Sequence, residues 1–277
     1  FKRIKLGHFP TPVEHLKNIT KYLGGPNIFI KRDDCTGLAT GGNKTRKLEF
    51  LIPDAIKNKA ELIVTVGAVQ SNHARQTAAA CTLMGLKCLI ILEQRVKNTP
   101  EVYMNSGNVF LDKLFGADVK VCPKNENFLE YSEKVIEDLK SKGTNVYFIP
   151  GGGSNSIGAL GYVECLNEII KENNKYNFTE IIHATGSGGT QTGLLAGKKY
   201  FNCSIPITGI CVRYDKKTQE NRVYTEAKKT CEKLQCKVLD KSEVIVYDEY
   251  IGTGYGEPTD SMKEATKLLA TKEAILL

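Results

Sequence analysis

The sequence lacks the marks of several large protein classes. No apolar run approaches the roughly 20 residues that a membrane-crossing helix needs. Four histidines are spread without HExxH spacing, and none of the nine cysteines stands in a CxxC or Cys/His pattern, so no built metal site is expected. Lys and Arg are interleaved with Asp and Glu and form no basic tail. The formal net charge of +7 suits small anionic ligands, and no nucleic-acid-binding motif accompanies it. Neither GxGxxG nor the Gly-Lys-Ser/Thr of a P-loop occurs. There is no repeat of solenoid length and no low-complexity segment. The start, Phe1-Lys2-Arg3-Ile4, has no apolar core of a secretory signal. It also lacks Met, from which a trimmed N-terminus is expected and organellar import stays open. The odd, scattered cysteines read as reduced thiols of a cytoplasmic compartment.

What is present is a globular composition, 41% hydrophobic and 25% charged, over 277 residues. That length allows one large or two ordinary domains. Phe9-Pro10-Thr11-Pro12 reads as extended, Val13 to Tyr22 as a short helix and 27–34 as a strand with an acidic end. From Leu48 the pattern alternates. Helices are expected over about 45–58, 71–84, 102–115 and 127–141. Strands are expected over 61–67, 88–93, 118–122 and 145–149. Continuous apolar strands between amphipathic helices indicate a parallel sheet covered on both faces. Gly151-Gly152-Gly153-Ser154-Asn155 breaks the run and reads as a domain crossing. A second series follows, with helices over 157–172, 190–201, 217–235 and 260–271 and strands over 180–184, 206–212 and 243–247. The close, Ala-Ile-Leu-Leu277, has no polar tail, so further C-terminal sequence is expected.

Four stretches carry candidate chemistry. Gly41-Gly42-Asn43 forms a tight loop, and Lys44-Thr45-Arg46-Lys47 opens a helix behind it. The helix dipole and the neighbours Arg46 and Lys47 are expected to ease deprotonation of Lys44, which Schiff-base chemistry requires. A basic first turn on a surface helix is the plain alternative. Thr185-Gly186-Ser187-Gly188-Gly189-Thr190, between a strand and a helix, has the composition of a phosphate cradle, or of a simple βα turn. Gly67 to His73 occupies the same strand-to-helix position in the first series, where open parallel sheets bind ligands. Ser71 or Asn72 serves there as a helix cap or as part of a carboxylate pocket, and His73 as a site or surface residue. Tyr255, between two glycines, projects into a cleft or packs on its loop.

Together these stretches resemble the pyridoxal-phosphate enzymes of the tryptophan-synthase-β-like fold, and within them the D-cysteine desulfhydrase and 1-aminocyclopropane-1-carboxylate (ACC) deaminase family. The resemblance runs through Phe9-Pro10-Thr11-Pro12, Lys31-Arg32-Asp33-Asp34, the Lys44 loop, Gln70-Ser71-Asn72-His73, Ile149-Pro150-Gly151-Gly152, Gly158-Ala159-Leu160-Gly161-Tyr162, the 185–193 loop and Gly254-Tyr255-Gly256. It implies an α/β architecture of two open parallel-sheet domains. Residues 1–45 and 156–277 would form a large cofactor-binding domain, and 46–155 a small inserted one. It implies pyridoxal 5'-phosphate bound covalently to Lys44, with the phosphate held by Lys47 and by Gly186, Ser187, Gly188, Gly189 and Thr190. Asn72 matches the residue at the cofactor's ring hydroxyl. Ser71, Asn72 and His73 match the substrate-carboxylate site, and Ser71 and Tyr255 match active-site groups. A small amino-acid substrate and a homodimer are implied; neither nucleic acid nor a membrane is an expected partner.

His73 and the Gly151-Gly152-Gly153-Ser154 run are more similar to D-cysteine desulfhydrases, since ACC deaminases tend to carry Gln and Gly-Cys-Ser there. The expected reaction is therefore β-elimination of D-cysteine to pyruvate, sulfide and ammonia. ACC ring opening, cysteate sulfo-lyase activity and a non-catalytic anion- or nucleotide-binding homologue are the alternatives. The family's second active-site tyrosine and the residue facing its pyridine nitrogen lie beyond the end of this sequence.

Overall fold

The computed structural model describes residues 1–96 and 99–276. Leu277, at the apolar close of the sequence, lies outside the described residues. The chain begins with an N-terminal strap, followed by strand β1 (Val13–His15), helix α1 (Lys17–Leu23) and strand β2 (Phe29–Lys31). β1 and β2 pair antiparallel, Glu14 opposite Ile30. The helix expected over Val13–Tyr22 is thus a strand for its first three residues, because pairing with β2 outweighs local helical preference.

Helix α2 (Lys44–Lys57) leads into the first βα series: β3 (Leu62–Ala68), α3 (Asn72–Leu83), β4 (Lys87–Glu93), α4 (Glu101–Asn105), α5 (Gly107–Leu114), β5 (Asp118–Val121), α6 (Phe128–Ser141) and β6 (Val146–Ile149). The helix expected over 102–115 is broken in two between α4 and α5, where Ser106 is extended and Gly107, the first residue of α5, has a φ of 58° that no helix interior accepts. The four strands form a parallel sheet in the order β5-β4-β3-β6. The chain steps outward from β3 and then returns to its other side as β6. The carboxyl ends of β3 and β6 therefore flank the crevice where such sheets bind ligands.

The second series is α7 (Leu160–Tyr176), β7 (Ile181–Thr185), α8 (Gly189–Tyr200), β8 (Ile207–Cys211), α9 (Lys216–Leu234), β9 (Ile245–Tyr247) and α10 (Asp260–Glu273). β7, β8 and β9 form a parallel sheet in that order. α7 starts three residues later than the apolar pattern suggests, because Asn155 first ties a turn through Ile157 N and Gly158 N. Among the described residues no helix is long and apolar enough to cross a membrane.

α2 is the spine between the two sheets. Leu48, Leu51, Ile52 and Ala55 enter the core beneath the first sheet, and Phe50 enters the core of the second. Pro53 sits inside the helix and cannot donate to Glu49 O, and the N–H of Ile4 takes that carbonyl instead at 3.0 Å. The Glu49 carboxylate accepts from Leu6 N at 2.8 Å and Arg3 Nε at 2.6 Å, so the N-terminal strap is fastened to the same turn. Arg46, 1% exposed, spans Asp33 (2.7 Å) and Glu168 (2.9 Å) and lies over the Phe9 ring.

We expect Arg46→Met to lower unfolding free energy by about 3–5 kcal/mol, since it strands two partly buried carboxylates. Lys142→Met, which removes an exposed pair with Asp138, should cost less than about 0.5 kcal/mol. Urea unfolding of both variants checks this. Equal losses would show that the Arg46 cluster is not what ties α2 to its neighbours.

Candidate active site

A cleft of about 1010 Å³ lies between the two sheets, lined by Lys44, the β3–α3 turn, the Pro150–Gly152 turn, the β7–α8 loop and Tyr255. The loop before Lys44 is wound unusually tightly. Ala39, Thr40, Gly41 and Gly42 all have positive φ, at 48°, 67°, 83° and 132°. A Cβ on Gly41 would sit 1.9 Å from Asp34 O, so glycine is required there. Thr36 Oγ1 both donates to Gly42 O and accepts from Gly42 N, each at 2.8 Å. Gln76 Oε1 accepts from Thr45 N at 2.9 Å. The start of α2 is thereby fixed from two sides.

Lys44 Nζ donates to Asn43 Oδ1 at 2.6 Å and, among the described residues, meets no carboxylate. Burial in the cleft lowers its pKa to about 8, helped by the positive charge of Arg75. The direction matches the sequence expectation, but the source differs. Arg46 lies two residues on, hence on another side of the helix, and is paired with Asp33 and Glu168. Lys47 lies three residues on, close to the same face. Its ammonium, 1% exposed, donates to Gly152 O at 2.9 Å and reaches Ser154 Oγ at 3.4 Å. Burial pushes the Lys47 pKa well down, with Lys44 adding to the effect.

The β7–α8 loop closes over Lys47. Gly188 has φ 89°, and a Cβ on Gly189 would lie 2.5 Å from Ser154 Oγ and 2.8 Å from Lys47 Nζ. Ser154 Oγ accepts from Gly189 N at 3.2 Å and bonds Ser187 Oγ at 2.7 Å. No hydrogen bond among the described residues uses the N–H groups of Gly186, Ser187, Gly188 or Thr190. Thr190 Oγ1 accepts from Asn43 Nδ2 at 3.5 Å. Open N–H groups at the start of α8, above a buried ammonium without a counter-ion, make a seat for a phosphate.

The β3–α3 turn is a second seat. Ser71 caps α3, its Oγ accepting from Ala74 N at 3.1 Å. The N–H groups of Gln70, Ser71, Asn72 and His73 have no acceptor among the described residues. Asn108 Nδ2 donates to Asn72 Oδ1 at 2.9 Å, so the exposed Asn72 turns its NH₂ outward as a donor. His73 is no surface residue: it is 3% exposed. Its Nε2 meets Thr65 Oγ1 at 2.8 Å, and that hydroxyl donates to Ile149 O. Nε2 must therefore be the donor, which leaves Nδ1 unprotonated and without a partner. Burial and the nearby lysines hold His73 neutral. Its contribution to an anion seat is its backbone N–H, not a charge. Tyr255 is 43% exposed and stacks under the Arg95 guanidinium at 5.4 Å.

Several lining residues escaped the sequence reading. Ser154 stood inside a run read as a domain crossing and as a mark of the D-cysteine desulfhydrase branch, with no role given to its hydroxyl. His183, whose Nε2 is buried without a partner, looks like any strand residue. Arg213 and Arg222 flank the Tyr214 ring at 4.8 and 4.6 Å and line the cleft mouth, and no local motif marks them.

The residues fit a phosphorylated aldehyde cofactor: an amine of lowered proton affinity stands in one cleft with a phosphate seat. A family model of pyridoxal-phosphate-dependent enzymes matches residues 4–277. The chain belongs to that family. An ACC deaminase homologue of known structure is 36% identical, with a TM-score of 0.90, covering 100% of this chain and 82% of that one. A pyridoxal 5'-phosphate-dependent aspartate racemase (18% identity, TM-score 0.65, covering 96% and 79%) has a similar fold. So does a hydrogen sulfide-producing enzyme from Fusobacterium nucleatum (18%, TM-score 0.61, 98% and 83%). This pyridoxal-phosphate enzyme has the tryptophan-synthase-β-like fold and is of the ACC deaminase/D-cysteine desulfhydrase type.

Lys47→Met should weaken pyridoxal phosphate binding about tenfold or more while leaving binding of unphosphorylated pyridoxal within about twofold. Fluorescence titration with both ligands checks this. Equal losses would mean that Lys47 does not serve a phosphate.

Proposed function

We propose that this enzyme is a carbon–sulfur lyase that converts D-cysteine and water to pyruvate, sulfide and ammonia. The observation that carries the reading is Lys44, an amine of lowered proton affinity with no carboxylate partner among the described residues, which shares one cleft with two sets of open backbone donors. The loop from Gly186 to Thr190, through its open N–H groups and with Lys47 beneath, would hold the cofactor phosphate, and the NH₂ of Asn72 would serve the ring oxygen. Bound pyridoxal phosphate supplies an electron sink for the pair left when the Cα–H bond breaks. The N–H groups of Ser71 to His73 hold the substrate carboxylate at the start of α3. Lys44 Nζ, half neutral at about pH 8, takes the Cα proton. Tyr255, at the mouth, orients the leaving sulfur, and Ser71 Oγ assists proton movement. In this reading, 46–155 is the small inserted domain and 1–45 with 156–277 the large one, the cofactor lying between them.

Arg213 and Arg222 favour a second reading. Neither has a carboxylate within ion-pair distance among the described residues, and both line the mouth. A substrate whose leaving group is a sulfonate, as in cysteate, would find counter-charges there.

Assays with D-cysteine, L-cysteine, ACC and cysteate separate these readings. Equal sulfide and pyruvate from D-cysteine, reduced at least about a thousandfold in Lys44→Ala, is the expected result. Sulfite from cysteate, lost in Arg213→Met, would replace D-cysteine by the second reading. A ketoacid from ACC alone would overturn both.

A further inference from the structure

The β3–α3 turn and the Lys44 loop belong to different segments, yet one side chain binds both. Arg75 Nη2 donates to Gly41 O at 2.7 Å, at the heart of the positive-φ loop. Its Nη1 donates to Asn108 Oδ1 at 3.2 Å. Asn108 Nδ2 in turn donates to Asn72 Oδ1 (2.9 Å) and Gln70 O (3.1 Å), and Asn108 N donates to Gln70 Oε1 at 2.9 Å. One guanidinium thus joins the loop that presents the amine to the turn that presents the carboxylate donors. It is also the charge nearest in effect to Lys44.

Behind Arg75 lies an anomaly. Asp112, on α5, is 0% exposed, and neither of its oxygens has a hydrogen-bond partner. Arg75 Nε is likewise buried without a partner. Buried polar groups are nearly always satisfied. Here an orphaned carboxylate on α5 and an orphaned guanidinium nitrogen on α3, a helix packed against α5, feel each other's charge without forming an ion pair within 4 Å. The thiol of Cys88 on β4 also feels the Asp112 charge, and Cys81 on α3 lies beside Cys88; both are free thiols. Lys44 faces Arg75 and His73 from α3 and Lys47 from its own helix.

We propose that Arg75 is a positioning residue that fixes Lys44 and Asn72 against each other, and that Asp112 is the buried counter-charge regulating how strongly Arg75 acts on Lys44. This inference rests on Lys44 being the reactive amine. Burial raises the Asp112 pKa to about 7. Below that pH the carboxyl is neutral, and the full charge of Arg75 disfavours protonation of Lys44. Above it the carboxylate offsets or draws away the guanidinium, and Lys44 regains affinity for its proton.

The test is the pH dependence of Lys44 labelling by an amine-reactive acylating reagent in the cofactor-free whole chain, read by peptide mass spectrometry. It needs no turnover, so failure of the lyase reading leaves it intact. Arg75→Met should raise the Lys44 pKa by about one unit, which slows labelling at about pH 7.5 roughly eightfold. Asp112→Asn, which keeps the side chain's volume, should shift it the opposite way and speed labelling at about pH 8.5. In the Arg75→Met background, Asp112→Asn should change nothing further. Arg75→Lys should keep the low pKa but lose cofactor affinity, since an ammonium cannot span Gly41 O and Asn108. Shifts of the same sign in Arg75→Met and Asp112→Asn, or an effect of Asp112→Asn that persists without Arg75, would overturn the proposal.

Discussion

The structure depends on burying a cationic helix turn between two sheets. Lys44, Arg46 and Lys47 fall within four residues, and α2 carries all three into the protein. Each charge is treated differently because helical geometry points them apart. Arg46 turns toward Asp33 and Glu168 and is neutralised there. Lys47 points beneath the β7–α8 loop and, among the described residues, finds only neutral oxygens. Lys44 opens into the cleft beside Asn43. A buried ammonium without a carboxylate is costly, and that cost is lowered when an anion arrives or when the amine gives up its proton. Lys47 suits the first outcome and Lys44 the second. The fold holds α2 in place with means that do not touch these two lysines: the Arg46 cluster, the strap on Glu49 and the apolar residues shared between the two cores.

Two helix starts converge on that turn because both sheets are parallel and both present their carboxyl ends to the cleft. Each βα turn leaves backbone N–H groups unspent among the described residues, at Ser71–His73 and at Gly186, Ser187, Gly188 and Thr190. On the proposed reading, the arrangement would hold two anions, a phosphate and a carboxylate, apart from each other around one amine. Such preorganised donors need no rearrangement when charge develops, which is where electrostatic catalysis draws its strength.

Much of this could be read from residues. The strand–helix alternation gave both parallel series, since apolar β-branched runs and amphipathic helices have different periods. Glycine pairs marked the two tight loops, because the positive φ they require leaves little choice of residue. What escaped reading depended on tertiary partners. Val13–His15 became a strand only because β2 lies beside it. The effect assigned to Arg46 failed because its partners, Asp33 and Glu168, are 13 and 122 residues away. His73 seemed as suited to the surface as to the site until Thr65 and Ile149 took its Nε2. Arg75 and Asp112 carry no motif, and only the packing of α3 against α5 brings them together.

Lys44 is proposed as the amine on which pyridoxal phosphate is held, made available by burial and Arg75 rather than by its helix neighbours. Borohydride reduction of the protein with pyridoxal phosphate at a series of pH values, followed by peptide mapping, tests it most directly. The account predicts a single modified residue, Lys44, with capture rising through a midpoint of about pH 8 as the amine loses its proton. Modification spread over surface lysines, or a midpoint near the ordinary lysine value of about 10.4, would contradict it.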